Sequence, residues 1–129
     1  MAESGLTKSL LFTVTAEDTA IALGSGSLPV LATPRLVAWL EAATCAVIDE
    51  LLDPGSTSVG TQIHIDHLRP TPVGKSIEVG ARLIKQDGRR CEFEVSAVSA
   101  DAELVATGTI VRVTVDAIEF ERRAKSGSR

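Results

Sequence analysis

Aromatic residues and cysteines are scarce in this sequence. Aromatic side chains make up 3% of its 129 residues and tyrosine is absent, whereas hydrophobic residues as a whole make up 44%. The core must therefore be built mainly from valine, isoleucine, leucine and alanine, and a disordered chain is excluded. The length fits one domain and leaves no room for a separate cofactor domain. We expect a single domain over residues 1–129.

An excess of positive charge and a long apolar run are also missing. The sequence has 13 Lys and Arg against 17 Asp and Glu, for a formal net charge of −4, which gives no electrostatic basis for binding nucleic acid. No apolar run approaches the roughly 20 residues that span a bilayer, and no signal-peptide pattern opens the chain. We expect a cytoplasmic protein that binds neither nucleic acid nor membrane. Residues 119–129, which are rich in basic side chains, are expected to form a frayed, solvated tail.

Motifs for metals, nucleotides and a nucleophilic serine are absent as well. Cys45 and Cys91 have no CxxC partner and no ligand-spaced histidines, and we expect both to be buried, reduced thiols. A metal cluster could be read from His64, Asp66 and His67, but strand alternation places His67 on the opposite face from the other two. We interpret His64 and Asp66 as a solvated pair. The sequence contains no GxGxxG, Walker A or GxSxG motif. We predict neither a metal nor a cofactor.

The one helical pattern is unusually apolar. It begins at Thr33, a suitable N-cap followed by Pro34 at the first helical position, and it ends before Asp53. Apolar residues recur along one face, and the other face carries Ala38, Trp39, Ala42, Ala43, Cys45 and Ala46. A helix that is apolar nearly all round is buried nearly all round.

The remaining patterns have a period of two, which predicts strands. A first strand is predicted over Ser9–Thr15. Four further strands follow the helix, at residues 59–68, 77–83, 91–97 and 104–115. A hairpin turn is predicted at Asp87–Gly88. In the second strand, alternation places the following residues on one face: Val59, Thr61, Ile63, Ile65 and His67.

One flat sheet face cannot cover a helix that is apolar all round. We therefore predict an α+β fold in which a curved antiparallel sheet wraps around the long buried helix, which is the hot-dog architecture. The rest of the helix is expected to pack against a second copy of the chain. A homodimer is predicted on this basis, with larger assemblies left open.

Glu41 interrupts the most apolar helix of the chain. It is the only ionisable residue between Arg35 and Asp49. A partly desolvated carboxylate at this position can serve as a general base or a nucleophile. The structural alternative is an ion pair with Arg35 or Arg69.

Two further residues have both a structural and a catalytic interpretation. His67 continues the apolar face of Ile63 and Ile65, so it is either a satisfied histidine at the rim of the core or a catalytic group. Thr33 is either a simple N-cap or part of an oxyanion site with the free amides of the helix start. The residues alone leave these alternatives open.

Roughly residues 28–115 resemble the hot-dog thioesterases, specifically the family of the fluoroacetyl-CoA thioesterase. The resemblance is carried by Val30–Thr33, Glu41, Val59–His67 and Pro70–Gly74. In that family a threonine at the helix start, a glutamate within the helix and a histidine near the end of the next strand form the catalytic set. The resemblance assigns these roles to Thr33, Glu41 and His67, which are separated by eight and by 26 positions.

The resemblance implies a thioesterase that hydrolyses acyl-CoA to a free acid and a thiol, with coenzyme A only as part of the substrate. Glu41 would act as base or nucleophile, His67 would orient it or carry a proton, and Thr33 would hold the carbonyl oxygen. Residues 24–29 contain no aromatic side chain, whereas the fluoroacetyl-CoA enzyme has a longer lid with phenylalanine, so fluoroacetyl selectivity is not implied. The acyl group, and a carrier protein in place of CoA, stay open.

Two other functions are compatible with the same fold. One is an enoyl-thioester hydratase or dehydratase, and the other is a module that binds acyl-CoA without turnover. Helix geometry adds a further hypothesis: eight residues correspond to about 12 Å of rise, so Thr33 and Glu41 of one helix are too far apart to touch. Each site would then combine the helix start of one subunit with Glu41 of the other.

Overall fold

One antiparallel sheet and one long helix dominate the computed structural model, which describes residues 5–127. The strands are β1 (Thr7–Thr13), β2 (Ser56–His67), β3 (Ser76–Asp87), β4 (Arg90–Ser99) and β5 (Leu104–Asp116). The helices are α1 (Ala20–Leu23), α2 (Thr33–Ile48) and α3 (Ala117–Ser126). The strands lie in the order β1-β3-β4-β5-β2, and all neighbours pair antiparallel. β1 and β2 therefore form the two edges of the sheet.

The long helix begins and ends close to the predicted residues. α2 is continued by a 3-10 turn over Asp49–Leu51, so helical structure stops just before Asp53. The predicted cap is wrong by one residue, because Ala32 is the N-cap and Thr33 already has helical geometry. The Thr33 hydroxyl therefore does not cap the helix.

The core lies between α2 and the inner face of the sheet. From α2 it takes Leu36, Trp39, Leu40, Ala43, Val47 and Ile48. The largest fully buried strand residues are Phe93, Ile77, Leu83, Ile110, Val79 and Val95. Each fully buried side chain of this kind contributes about 1.5–3 kcal/mol. Trp39 also stacks on Phe12 of β1, with ring centroids 4.6 Å apart, so this aromatic side chain packs in the core.

One face of α2 is left partly uncovered by the chain's own sheet. Its residues are half-buried or exposed: Pro34, Val37, Ala38, Glu41, Ala42, Cys45 and Ala46. Apart from Glu41 this face is apolar and made of small side chains. The helix is thus buried on one side only within a single chain. Cys91 is fully buried as predicted, whereas Cys45 is half-buried on this open face.

A β-bulge in β2 overturns the predicted alternation of that strand. Ile63 and His67 face the inner side of the sheet opposite Ile110 and Ala106, but the register shifts between Gly60 and Gln62. Thr61 is the extra residue, so Gly60, not Val59, lies on the inner side before the bulge. Period-two alternation holds only while strands pair one to one, and a bulge breaks that condition.

Gly108 allows β5 to approach β2 closely. A Cβ atom at this position would overlap the carbonyl oxygen of His64 and lie 2.9 Å from Ile65 Cα. Since both contacts are with backbone, only glycine fits here without moving the edge strand. Gly108 pairs with Ile65, two residues before His67, so this close pairing fixes the end of β2 that carries the histidine.

The predicted frayed tail is mostly helical. Asp116 caps α3 by accepting from the amide of Glu119, and exposed ion pairs join Arg122 to Glu119 and Lys125 to Glu121. A capped helix with such pairs gains local stability that a basic composition does not reveal. The side chains of α3 are exposed, and positions 128–129 of the predicted tail lie outside the described residues. No helix among residues 5–127 is long and apolar enough to cross a membrane.

Candidate active site

Thr33 and His67 meet where α2 begins and β2 ends. Thr33 Oγ1 lies 2.8 Å from His67 Nδ1, although the two residues are 34 positions apart. Thr33 is exposed and His67 is half-buried, so the pair lies at the surface of the chain. The first-turn amides of Thr33 and Arg35 form no backbone hydrogen bond within residues 5–127. A hydroxyl and free amides at the positive end of a helix are suited to bind a developing negative charge on oxygen.

The environment of His67 favours a neutral imidazole. Burial lowers the pKa of His67 below its ordinary value, and the backbone of Arg69 opposes this shift. His67 Nε2 is buried and has no hydrogen-bond partner among the described residues. At neutral pH the ring is therefore uncharged, and one nitrogen can accept a proton while the other donates.

The lowered pKa of His67 predicts a pH dependence of stability. Well above pH 6.5 the histidine is neutral in both folded and unfolded chains and makes no contribution to the free energy of unfolding. As the pH falls below 6.5 the unfolded chain takes up a proton that the folded chain resists, so the free energy of unfolding decreases. We expect urea unfolding between pH 7.5 and 5 to show a larger loss for the wild type than for His67→Gln. Parallel curves for the two proteins would contradict this expectation.

Glu41 belongs to a second cluster in the middle of α2. Its Oε2 lies 3.4 Å from Arg112 Nη1, and the exposed fractions of the two side chains are 33% and 8%. Arg112 also donates from Nε to Ser58 Oγ at 2.9 Å and from Nη2 to Ser58 O at 3.1 Å. Gly60 pairs with Arg112 across the strands. The carboxylate is therefore paired with a buried guanidinium, and the Glu41 side chain stays partly exposed to solvent.

The predicted partners of Glu41 are both wrong. Arg35 pairs with Asp18 at 3.0 Å, and Arg69 pairs with Glu103 at 3.4 Å. Glu41 does form an ion pair, but its cation is Arg112 of β5. No hydrogen bond or ion pair joins Glu41 to Thr33 or His67 within the described part of the chain.

The two clusters are well separated within one chain. Thr33 and Glu41 are about 12 Å apart along the axis of α2. Gly60, beside Glu41, and His67 are about 20 Å apart along β2. Within one chain the structure thus brings together Thr33 and His67, two of the three residues that the resemblance assigns to the catalytic set. The third residue, Glu41, lies apart from them.

Comparison with known proteins assigns the chain to a family. The family model of the fluoroacetyl-CoA-specific thioesterases matches residues 14–117. The chain belongs to this family. The match covers both clusters, from Thr33 to Arg112. The thioesterase resemblance seen in the sequence is therefore confirmed.

Individual relatives support the same assignment. The fluoroacetyl-CoA thioesterase of Streptantibioticus cattleyicolor is 32% identical over 96 residues, which cover 74% of this chain and 68% of that protein. A fluoroacetyl-CoA thioesterase variant solved with acetyl-CoA has a TM-score of 0.92 at 26% identity, over 99% of this chain and 100% of that chain. A hot-dog-like protein from Thermanaerovibrio acidaminovorans has a TM-score of 0.86 at 21% identity, over 95% and 90% of the two chains. The predicted hot-dog fold is confirmed.

Three residues of this thioesterase's candidate site were missed by the sequence analysis. They are Ser58, Gly60 and Arg112. A signal for Arg112 was available, since it is the only charged residue of β5 before the last position of the strand. A cation buried in a strand requires a partner. Ser58 and Gly60 gave no such signal, because their inward orientation depends on the bulge at Thr61.

His64 and Asp66 take no part in either cluster. Both are exposed, and they lie on the outer face of β2, opposite to His67. Their interpretation as a solvated, non-catalytic pair agrees with these positions. No group of three or more His, Cys, Asp or Glu residues that could hold a metal ion is present within residues 5–127.

Proposed function

We propose that this thioesterase hydrolyses the thioester bond of an acyl-CoA, using Thr33, Glu41 and His67. The observation that carries the proposal is the 2.8 Å contact between Thr33 and His67 at the N-terminus of α2. A hydroxyl, free helix amides and a neutral imidazole lie together there, and such groups are suited to stabilise a developing oxyanion and to move a proton. The complex of a related thioesterase with acetyl-CoA supports CoA thioesters as the substrate class.

Each residue has a distinct task in the reaction. Thr33 and the free amides beside it stabilise the carbonyl oxygen as negative charge develops there. Glu41 either removes a proton from the attacking water or attacks the carbonyl carbon itself. In the general-base route water adds to the carbonyl carbon, the bond from carbon to sulfur breaks, and the proton removed from water passes through His67 to the leaving thiolate. In the nucleophilic route the bond from carbon to sulfur breaks as an anhydride of Glu41 forms, and water then hydrolyses the anhydride, which frees Glu41 and supplies the proton for the thiolate. In both routes His67 orients Thr33. The products are a carboxylic acid and the thiol of CoA.

The two clusters become one site when two subunits combine. In this proposal, Glu41 of one subunit faces Thr33 and His67 of the other across a two-fold axis. The proposal is supported by the uncovered apolar face of α2, on which Glu41 is the only charged side chain. It is also supported by the edge position of β2, where Ile63 is 44% exposed and Leu68, the residue after the strand, is 53% exposed. A homodimer would cover these surfaces and complete the site.

The acyl group and the compartment belong to the same proposal. The segment before α2 contains exposed Ile21 and Leu28 and no aromatic side chain, so we propose an acyl-CoA substrate without fluoroacetyl selectivity. A cytoplasmic location is supported by two free cysteines, Cys45 and Cys91, since extracellular proteins of this size commonly pair their cysteines.

The experiment that tests the function is thiol release from a panel of acyl-CoAs. The panel contains short, branched, aromatic, medium and long acyl groups, together with fluoroacetyl-CoA, and a thiol-reactive dye reports CoA. We expect hydrolysis of at least one member without preference for fluoroacetyl-CoA over acetyl-CoA. Absence of release from every member would contradict the proposal and favour a module that only binds acyl-CoA.

A further inference from the structure

Arg112 connects β5 to the carboxylate of Glu41, but most of its contacts are with Ser58. Its side chain is 8% exposed. Nε and Nη2 donate to Ser58 Oγ and Ser58 O at 2.9 and 3.1 Å, whereas Nη1 reaches Glu41 Oε2 only at 3.4 Å. Two of the three guanidinium nitrogens are thus held by Ser58. The direction of the third, toward Glu41, follows from this attachment because the guanidinium is planar and rigid.

The bulge in β2 places Ser58 where it can hold Arg112. Gly60 is the strand partner of Arg112, and Ser58 is the partner of Thr114, so Ser58 lies diagonally across from Arg112. If β2 alternated without interruption from His67, then Val59 would face inward and Ser58 would face outward. The register shift between Gly60 and Gln62 reverses this arrangement. Bulges commonly re-aim side chains next to active sites.

We propose that Ser58 is a positioning residue for thioester hydrolysis. Ser58 fixes the guanidinium of Arg112, and the guanidinium fixes the carboxylate of Glu41 in its reactive position. The inference rests on the catalytic role proposed above for Glu41. Ser58 itself acts on the reaction only through Arg112. Without the Ser58 hydroxyl, Nε loses its acceptor, and Nη2 keeps only the backbone oxygen of Ser58. The guanidinium then turns toward Glu41, its one remaining side-chain acceptor, which displaces the carboxylate.

The Ser58→Ala variant is expected to lower kcat about tenfold and to change KM less than about twofold, since one charge-assisted hydrogen bond is lost and no substrate contact is removed. Ser58→Thr keeps the hydroxyl and suits a strand, so it should recover most of the lost kcat. Ser56→Ala is the matched control. Ser56 is the same residue type two positions earlier in β2, and its side chain has no hydrogen bond among the described residues, so wild-type kcat is expected.

Coupling to Glu41 separates positioning from general damage to the fold. If Ser58 acts through Glu41, then Ser58→Ala should cause no further loss of kcat in a Glu41→Gln background. A further tenfold loss in that background would overturn the inference, as would wild-type kcat in Ser58→Ala or a failure of Ser58→Thr to recover activity. Wild-type turnover by Glu41→Gln would overturn the proposed function, and this inference with it. If Glu41→Gln loses turnover and Ser58→Ala keeps the turnover of the wild type, only the inference is overturned.

Discussion

The Glu41→Gln variant is expected to fold normally and to lose about a thousandfold in kcat, which is the range for removing a general base or nucleophile. Glutamine has the shape of glutamate, and its amide oxygen can still accept from Arg112. It cannot take a proton from water or form an anhydride with the substrate. Steady-state thiol release at saturating acyl-CoA measures the loss, and urea unfolding should show a free energy of unfolding within about 1 kcal/mol of the wild type.

The contact between Glu41 and Arg112 makes this variant informative. An ion pair with a buried arginine is also what a structural glutamate would form in a module that binds acyl-CoA without turnover. In that case Glu41→Gln would alter stability, and the residual thiol release would equal that of the wild type. Equal turnover in the two proteins would therefore contradict a catalytic role.

The Gly60→Ala variant should separate activity from stability. A Cβ atom on Gly60 would lie 2.6 Å from Glu41 Oε2 and 3.5 Å from Arg112 Nη1. The nearest atom is the end of a flexible side chain, so the carboxylate can move aside at little cost in stability. A reactive group displaced by about 1 Å can lose about a hundredfold in rate. We expect kcat to fall by about that factor, with a melting temperature close to that of the wild type.

Gly80→Ala is the matched control for the Gly60 variant. Gly80 lies in β3, and a Cβ atom there would meet only the Lys8 carbonyl oxygen, at 3.7 Å, which is ordinary van der Waals contact. The two variants should therefore have similar melting temperatures, and only Gly60→Ala should lose kcat. A wild-type kcat for Gly60→Ala would show that the position of the Glu41 carboxylate is not critical. An equal loss in both variants would point to a general effect of alanine in the sheet.

The helix and the strands were largely predictable from the sequence. α2 has a long apolar pattern, and Pro34 and Pro54 bracket it, so its extent follows from local signals. β3 and β4 alternate regularly over the predicted ranges, 77–83 and 91–97, and their bounds lie within four residues of the prediction. The turn between them is one residue later than predicted, at residues 88–89, because Asp87 still pairs with Arg90. For such elements, local sequence and tertiary packing favour the same structure.

The parts that escaped prediction depend on pairing between distant segments. The bulge at Thr61 exists only in relation to β5, so no pattern within β2 reveals it. The partner of Glu41 is 71 positions away, and an arginine in a strand does not indicate which residue it faces. The helix α3 is a different case, because Asp116 followed three residues later by Glu119 is a recognisable capping signal. The basic composition of the tail concealed it.

The proposed completion of each site by two subunits is tested most directly with mixed dimers. His67→Ala and Glu41→Gln chains, each inactive alone, are unfolded together in equal amounts and refolded. If Glu41 of one subunit serves His67 of the other, then half of the dimers are mixed and each contains one intact site, so about a quarter of wild-type activity should return. If each chain holds a complete site of its own, no activity returns. A mixture that forms mixed dimers and stays inactive would contradict the shared site.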